Sequence, residues 1–196
     1  MATLSPDPDP GTGRLQLDPQ GRPWAAGLSA DELHAFVQWQ NTAYYHAIQA
    51  FLRTGIGSAE AEAYATAIDA AIARAVLPAG MPLFRGIRSA QDAFGLDRTE
   101  LRRLMGADPL RLAGFFATSL SERIALRFTG DEPGPGGQVL MRMVTAEACR
   151  GAVLDDLPTA NRWIEDQEVL IGPRRPIRIT SVDVLSHLTI VEGVVH

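Results

Sequence analysis

Hydrophobic residues recur at intervals of three and four over the first part of the chain, which is the spacing of a helix that buries one face. A first helix is predicted to begin at Ser29, because Ser29 and Glu32 form the Ser-x-x-Glu pattern of a capping box. Gly55 ends this helix, and Ser58 begins a second one that stops before Pro78. The apolar stripes of the two helices are Leu33, Phe36, Val37, Tyr44, Ile48, Phe51 and Leu52, then Tyr64, Ile68, Ile72 and Val76.

The rest of the chain carries short apolar runs of strand length, separated by segments rich in Gly and Pro. Two short helices interrupt these runs, one that begins near Asp97 and one that is capped by Ser121, and residues 129–137 are predicted to be a loop. Helices followed by many short strands predict an α+β domain with a sheet core. The predicted strands are residues 82–87, 114–120, 139–144, 151–154, 169–171, 177–184 and 188–195.

Composition sets the domain organisation and excludes some classes of function. The chain has 196 residues, enough for one domain and a tail. Residues 1–27 are rich in Pro, Gly and Asp and are predicted to be a linker or a poorly ordered arm, with a single domain over residues 28–196. A net charge of −5 without a dense Lys and Arg cluster argues against non-specific nucleic-acid binding. The sequence shows no apolar run of membrane-spanning length and no secretory signal.

The residue types that usually bind metals are sparse. The single cysteine, Cys149, has no partner for an internal disulfide, and the four histidines make no zinc pattern. We therefore predict no metal site and interpret these five residues as structural or surface residues. The candidate reactive groups are charged and hydroxyl side chains.

Three polar features stand within or beside apolar strands. Arg85 lies among apolar residues, and a buried arginine needs an anionic partner. Thr118 and Ser119 end an aromatic strand. Asp166 and Glu168 precede an apolar run, and residues two apart on a strand face the same side, so both acids are expected to face one cleft. Singly, these features also fit a structural ion pair, a helix cap and a solvated strand start; together they predict a cleft for a phosphorylated, cationic ligand.

The order of these motifs resembles that of the mono-ADP-ribosyltransferase family, in its Arg-Ser-Glu branch of bacterial toxins, over roughly residues 33–195. Residues 83–86 (Leu-Phe-Arg-Gly) are similar to the family's aromatic-Arg-Gly strand, and residues 116–120 (Phe-Ala-Thr-Ser-Leu) to its Ser-Thr-Ser strand. Residues 166–168 (Asp-Gln-Glu) are similar to its Glu/Gln-x-Glu motif, and residues 44–53 to its Tyr, Ile-Asn, Leu-Arg helix pattern. The resemblance implies an α+β fold with N-terminal helices packed on a mixed, mostly antiparallel core of two sheets.

The resemblance also implies that NAD is the co-substrate and that no metal takes part. Arg85 is implied to bind an NAD phosphate, and the Gly86 backbone to bind the nicotinamide amide. Arg53 and Tyr45 are implied to assist from the helix. Phe128 corresponds to an aromatic residue that contacts nicotinamide in related toxins.

Four residues are implied to be catalytic. Glu168 corresponds to the catalytic glutamate, which hydrogen-bonds the ribose that bears nicotinamide and stabilises positive charge as nicotinamide leaves. Thr118 and Ser119 correspond to the hydroxyls that remain of the Ser-Thr-Ser strand, and Arg85 completes the group.

The sequence departs from the family pattern at three positions. Ala117 stands where the first serine of the Ser-Thr-Ser strand is expected, and Gln49 replaces the usual asparagine of the helix pattern. Asp166 stands where glutamate accompanies arginine acceptors and glutamine accompanies Asn, Gln or nucleobase acceptors. A carboxylate at this position favours arginine, and Trp163 is implied to be the aromatic residue presented to the protein substrate.

The resemblance thus implies a glycosyltransferase that moves ADP-ribose from NAD to a macromolecule, expected to be a protein, and releases nicotinamide. An NAD glycohydrolase that uses water as the acceptor and an inactive NAD-binding or interaction module are the alternatives. As a bacterial virulence toxin or effector, the protein is expected to be secreted or delivered by a signal-free route and to act in the cytoplasm of a target cell. An immunity protein that plugs the cleft is an expected partner, a membrane is not, and nucleic acid is the less favoured acceptor.

Overall fold

Helices come first along the chain and most strands follow, as the hydrophobic pattern predicts. The computed structural model describes residues 16–147, 149–158 and 167–196. Its α-helices are α1 (Ala30–Trp39), α2 (Thr42–Thr54), α3 (Ala59–Ala73), α4 (Ala90–Phe94) and α5 (Glu122–Arg127). Its strands are β1 (Pro82–Ile87), β2 (Leu110–Arg111), β3 (Phe116–Ser119), β4 (Val139–Thr145), β5 (Gly151–Val153), β6 (Glu168–Ile171), β7 (Pro176–Val184) and β8 (Thr189–Val195).

The strands hydrogen-bond in one continuous order, β2-β7-β8-β4-β1-β3-β6-β5. Strands β4 and β8 run parallel, and the other neighbouring pairs are antiparallel. The prediction of an α+β domain with a mixed, mostly antiparallel core is therefore confirmed. The resemblance implies two sheets, whereas the described strands form one sheet of eight. The pair formed by Phe84 of β1 and Ser119 of β3 joins the half that contains β4 and β8 to the half formed by β3, β6 and β5.

The first predicted helix is divided into α1 and α2. Asn41 begins α2, because its side chain accepts a hydrogen bond from the Ala43 amide, and asparagine in this role favours a helix start. The apolar periodicity continues across the break, which is why it predicts one helix where the chain forms two. The break sets Trp39, the last residue of α1, against Tyr45 of α2, with their ring centroids 4.8 Å apart.

Two buried clusters hold the helices and the sheet together. The helical layer packs on β5 and β6 through residues such as Phe36 and Ile68, and Leu170 of β6 belongs to this cluster. Its neighbours Val169 and Ile171 belong to the other cluster, which lies among β1, β4, β7 and β8. Successive side chains of a strand point to opposite faces, so β6 is buried on both of its faces. This packing fixes the strand that carries Glu168 at its first position.

Residues 16–27, which composition assigns to the linker, pack against the domain. The Gln16 side-chain amide donates a hydrogen bond to the Gly151 carbonyl and accepts one from the Val153 amide at 2.9 Å. Trp24 is 2% exposed, and its indole N–H donates to the Ala71 carbonyl at 3.0 Å. One buried amide and one buried indole therefore attach residues 16–27 to β5 and α3. The remaining predicted linker residues, 1–15, lie outside the described residues.

The cysteine is buried, in keeping with a structural role. Burial raises the pKa of the Cys149 thiol to about 11, against a smaller opposing effect of Arg175. The thiolate is the reactive form of cysteine, so a thiol with this pKa is a poor nucleophile near neutral pH. Within the described residues, the helices are too short or too polar for any of them to cross a bilayer.

Candidate active site

A cavity of about 390 Å³ lies between the α1–α2 junction, α5 and strands β1, β3 and β6. This volume lies within the range of small-molecule binding sites. The cavity brings together predicted site residues that lie far apart in the sequence, namely Tyr45, Arg85, Gly86, Thr118, Ser119, Phe128 and Glu168.

A second cavity of about 730 Å³ adjoins the first one and shares Arg85 and Gly86 with it. Its wall includes three further arginines, Arg53, Arg88 and Arg111. Guanidinium groups recognise phosphate through paired N–H donors. The two cavities therefore suit an elongated ligand whose anionic centre lies near Arg85.

Arg85 of β1 is half-buried and is held by two contacts with β3. Its Nη1 donates a hydrogen bond to the Ala117 carbonyl at 2.6 Å, and its guanidinium carbon lies 4.8 Å from the centroid of the Phe116 ring. Burial lowers the pKa of Arg85, and Arg53 lowers it further, whereas Tyr45 and the Glu168 carboxylate raise it. Arginine stays charged under such shifts, so the junction of the two cavities carries a fixed positive charge.

Glu168 begins β6 and lines the first cavity. Its Oε1 accepts a hydrogen bond from the indole Nε1 of Trp39 at 3.0 Å. Ser119 of β3 stands directly opposite Glu168 in the β3–β6 register. Residues opposite each other on antiparallel strands share a face, so the serine and the carboxylate face the same side.

The two predicted hydroxyls are buried and have different partners. Thr118 Oγ1 donates to the Val169 carbonyl at 2.9 Å, so this hydroxyl bonds the main chain of β6. Ser119 Oγ accepts a hydrogen bond from the Ser121 amide at 3.0 Å. Ser121 in turn caps α5, as predicted, by accepting from the Ile124 amide. The hydroxyls thus connect β3 to β6 and to α5, the elements that surround the cavity.

Gly86 allows α5 to approach β1. A Cβ atom at position 86 would lie 1.9 Å from the Ala125 carbonyl oxygen and 3.0 Å from the Thr129 amide nitrogen. The group that approaches Gly86 closely is therefore the backbone of α5 and of the residue Thr129 after it. This approach places Phe128, just after α5, on the rim of the first cavity, where the side chain is 60% exposed. An aromatic ring with this exposure at a cavity rim is available to a ligand and is no core residue.

Tyr45 and Arg53 lie on α2 and reach different parts of the cleft. Tyr45 is half-buried in the first cavity, next to Trp39, while Arg53 is exposed and lines the second cavity. Between them on the same helix, the Gln49 side chain donates to the Phe115 carbonyl at 2.9 Å. A Cβ atom at Gly114 would lie 1.9 Å from Gln49 Oε1, so the glycine makes room for the longer amide at this position.

The predicted acceptor-side residues, Trp163 and Asp166, lie outside the described residues. Strand β6 begins at Glu168, and Gln167, the residue before it, has a φ of 46°. This left-handed backbone interrupts strand alternation and is uncommon for residues other than glycine. Within the described residues, no group of three or more His, Cys, Asp or Glu side chains is arranged to hold a metal ion.

The sequence motifs do not identify Trp39, whose indole N–H donates a hydrogen bond to Glu168. Trp39 is three residues after Phe36, so helical spacing alone indicates that it lies on the buried face of α1. Nothing in the spacing indicates its partner, because 129 residues separate Trp39 from Glu168.

The fold is that of the bacterial ADP-ribosyltransferase toxins, although no protein-family model and no curated protein matches the chain. The Vis toxin, an ADP-ribosyltransferase from Vibrio splendidus, is 20% identical with a TM-score of 0.68, over 88% of this chain and 76% of that chain. An ADP-ribosyltransferase from Clostridium botulinum is 16% identical with a TM-score of 0.67, over 87% of this chain and 89% of that chain. A protein from S. aureus, solved with NAD, is 18% identical with a TM-score of 0.67, over 88% of this chain and 89% of that chain.

Proposed function

We propose that the chain belongs to the mono-ADP-ribosyltransferase family and transfers ADP-ribose from NAD to a macromolecular acceptor, with release of nicotinamide. The observation that carries this proposal is the position of Arg85 at the junction of two cavities, with Glu168 in the first and further arginines in the second. A dinucleotide has two halves joined by a pyrophosphate, and its charge pattern matches this arrangement. The fold, shared with toxins of this activity and with the S. aureus protein solved with NAD, supports the same assignment.

The pyrophosphate and the nicotinamide of NAD each have a counterpart in the cleft. Arg85 binds the pyrophosphate at the junction, with Arg53 and Arg88 on the wall of the larger cavity. The nicotinamide half enters the smaller cavity, where the Gly86 backbone meets its amide and the exposed Phe128 covers its ring. Aromatic side chains supply a flat apolar surface for such a ring.

Glu168 stabilises the positive charge that develops on the ribose. The bond between ribose C1′ and the nicotinamide nitrogen breaks, and its electron pair leaves with neutral nicotinamide. The carboxylate of Glu168 faces this charge from the edge of β6, where it is already oriented by a hydrogen bond. A preorganised group of this kind lowers the barrier because it does not have to reorient during the reaction.

We propose arginine as the acceptor. A guanidinium nitrogen bonds to C1′ and loses one proton, which the Asp166 carboxylate accepts. Trp163 contacts the surface of the acceptor protein around that arginine. The Vis toxin has been solved in complex with agmatine, a small molecule that carries a guanidinium group, and this supports the same acceptor chemistry here.

The proposed setting is that of a toxin or effector delivered into a target cell, where it modifies a cytoplasmic protein. The toxin names of the structural neighbours support this setting. A producing cell that meets such an enzyme needs protection, and a protein that plugs the open cleft is the proposed partner.

The test is to incubate the purified protein and its Glu168→Gln variant with NAD labelled in the ADP-ribose half and with a whole-cell lysate. Protein, nucleic acid and free ADP-ribose are then separated. Label on a protein band that is lost in the variant supports the proposal, and release of the label by hydroxylamine under conditions for arginine linkage supports the acceptor. Label found only as free ADP-ribose contradicts transfer and indicates a glycohydrolase. If NAD binds and is not consumed, the chain is a binding module.

Replacement of Arg85 by lysine should raise the KM for NAD by about tenfold to a hundredfold, because a charge-assisted hydrogen bond is worth about 1.5–3 kcal/mol. Lysine keeps the charge and loses the planar fork and the stacking on Phe116. Arg178→Lys is the matched control, since Arg178 is exposed on β7, and its KM should stay at the wild-type value. Initial-rate kinetics measure both variants. An unchanged KM in Arg85→Lys would contradict the phosphate-binding role.

A further inference from the structure

We propose that Trp39 is a positioning residue for Glu168, because its indole N–H donates a hydrogen bond to the carboxylate. This inference rests on the proposed function, because the group it positions is the carboxylate that stabilises the reacting ribose. Its evidence is separate from the fold: the 3.0 Å hydrogen bond between Trp39 Nε1 and Glu168 Oε1, and the methyl side chain at position 117.

The indole of Trp39 is held rigidly at the end of α1. It is 2% exposed, and the rings of Tyr45 and Phe115 pack edge-on against it at centroid distances of 4.8 and 5.4 Å. A side chain packed on both sides occupies one rotamer, so its N–H points in a fixed direction. A carboxylate that accepts from this donor is held with one oxygen at α1.

The second buried tryptophan shows what an indole N–H needs when it only has to find a hydrogen-bond partner in the interior. Trp24 is equally buried, and its N–H donates to the main-chain carbonyl of Ala71 at 3.0 Å. A backbone carbonyl is therefore sufficient when an indole N–H only needs a partner. Trp39 instead donates to an ionisable side chain that lines the cavity. A carboxylate has about four acceptor sites on its two oxygens, so one indole donor leaves acceptor capacity for a ribose hydroxyl.

The sheet register places Ala117 near Glu168 on the same face of β3 and β6. Ala117 pairs with Leu170, and Ser119 pairs with Glu168, so Ala117 is the diagonal neighbour of the carboxylate on the same face. A hydroxyl at a diagonal position lies within reach of a long side chain across the strands. The methyl group of alanine donates no hydrogen bond, while the neighbouring Thr118 hydroxyl bonds the Val169 carbonyl. The indole of Trp39 approaches the same carboxylate from α1 and donates a hydrogen bond to it.

The experiment measures nicotinamide release by the full chain with NAD, comparing Trp39→Phe with Trp24→Phe. Phenylalanine keeps an aromatic ring and removes the N–H. We expect kcat of Trp39→Phe to fall about tenfold to a hundredfold, as for loss of a hydrogen bond to a charged group, with KM for NAD within about threefold. Trp24→Phe loses the same kind of donor away from the cavity and should keep the wild-type kcat at temperatures where it is folded.

A second pair of variants isolates the donor from the shape of the indole. The change Ala117→Ser offers a hydroxyl from the diagonal position. Added to Trp39→Phe, it should raise kcat at least about threefold, whereas in the protein that keeps Trp39 it should change kcat less. Incorporation of β-(3-benzothienyl)alanine at position 39 keeps the ring volume and removes only the N–H, so it covers the case in which Trp39→Phe fails to fold. Its kcat should fall as in Trp39→Phe.

The outcomes separate this inference from the proposed function. If Glu168→Gln abolishes turnover while the benzothienyl protein keeps the wild-type kcat, Trp39 is not a positioning residue and the proposed function stands. If Ala117→Ser changes kcat by the same factor with and without Trp39→Phe, the hydroxyl does not replace the indole donor and the inference is overturned. If the wild-type protein does not consume NAD, the proposed function itself fails.

Discussion

Replacement of Glu168 by glutamine should lower kcat for nicotinamide release by about 10²–10³-fold, which corresponds to about 2.7–4 kcal/mol of transition-state stabilisation. Glutamine is nearly isosteric with glutamate and accepts a hydrogen bond through its carbonyl oxygen, so the indole of Trp39 keeps a partner. What the variant loses is the negative charge that faces the ribose. The KM for NAD should change much less than kcat, because the missing interaction is strongest in the transition state.

The matched control is Glu192→Gln, which makes the same chemical change at an exposed position on β8. Initial rates at saturating NAD give kcat for both variants, and thermal unfolding shows whether either one has lost stability. The control should keep the wild-type rate. A Glu168→Gln protein that is folded and releases nicotinamide within about twofold of the wild-type rate would show that this carboxylate is not the charge-stabilising group.

Replacement of Gly86 by alanine should destabilise the protein by about 3 kcal/mol, the upper part of the range for overpacking a well-packed interior. The new methyl carbon would lie 1.9 Å from the Ala125 carbonyl oxygen, and its other near neighbours are also main-chain atoms of the α5 region. Backbone does not move aside as the end of a flexible side chain does, so α5 has to shift away from β1. For a chain of this size the midpoint of thermal unfolding should fall by about 6–12 °C.

The same shift should weaken NAD binding in Gly86→Ala, because Phe128 and Ser119 line the cavity and are positioned by α5. Gly27→Ala is the matched control, since a Cβ atom at position 27 meets nothing within 4 Å. Calorimetric unfolding and titration with NAD below the midpoint measure both effects. If Gly86→Ala unfolds at the same temperature as Gly27→Ala, the close approach of α5 to β1 is not needed for the fold.

The elements with strong local signals were predictable from the sequence. The capping box at Ser29 is present in α1, and β1 spans the predicted residues Pro82–Ile87. The elements that were missed are short: α4 covers Ala90–Phe94 and β2 only Leu110–Arg111, too few residues for a periodicity to emerge. The break between α1 and α2 was missed for another reason, since a single capping residue, Asn41, outweighs an apolar stripe that continues across it.

The candidate site was predictable as a set of residues and not as a set of contacts. The motifs identified Arg85 and Glu168, which the structure brings to one cavity. The motifs also identified Thr118, which lines the same cavity, but they did not indicate that its hydroxyl donates to the Val169 carbonyl. The β3–β6 register sets this contact, because Thr118 stands directly opposite Val169.

The sequence by itself determined the order of helices and strands and the motifs that carry the chemistry, because caps, periodicity and short motifs depend on neighbouring residues. The tertiary structure decided that Trp39 donates a hydrogen bond to Glu168, and that the group close to Gly86 is the Ala125 carbonyl. Both contacts depend on how separate elements pack, α1 beside β6 and α5 on β1. Such packing depends on the burial of many side chains at once, so no single stretch of the sequence records it.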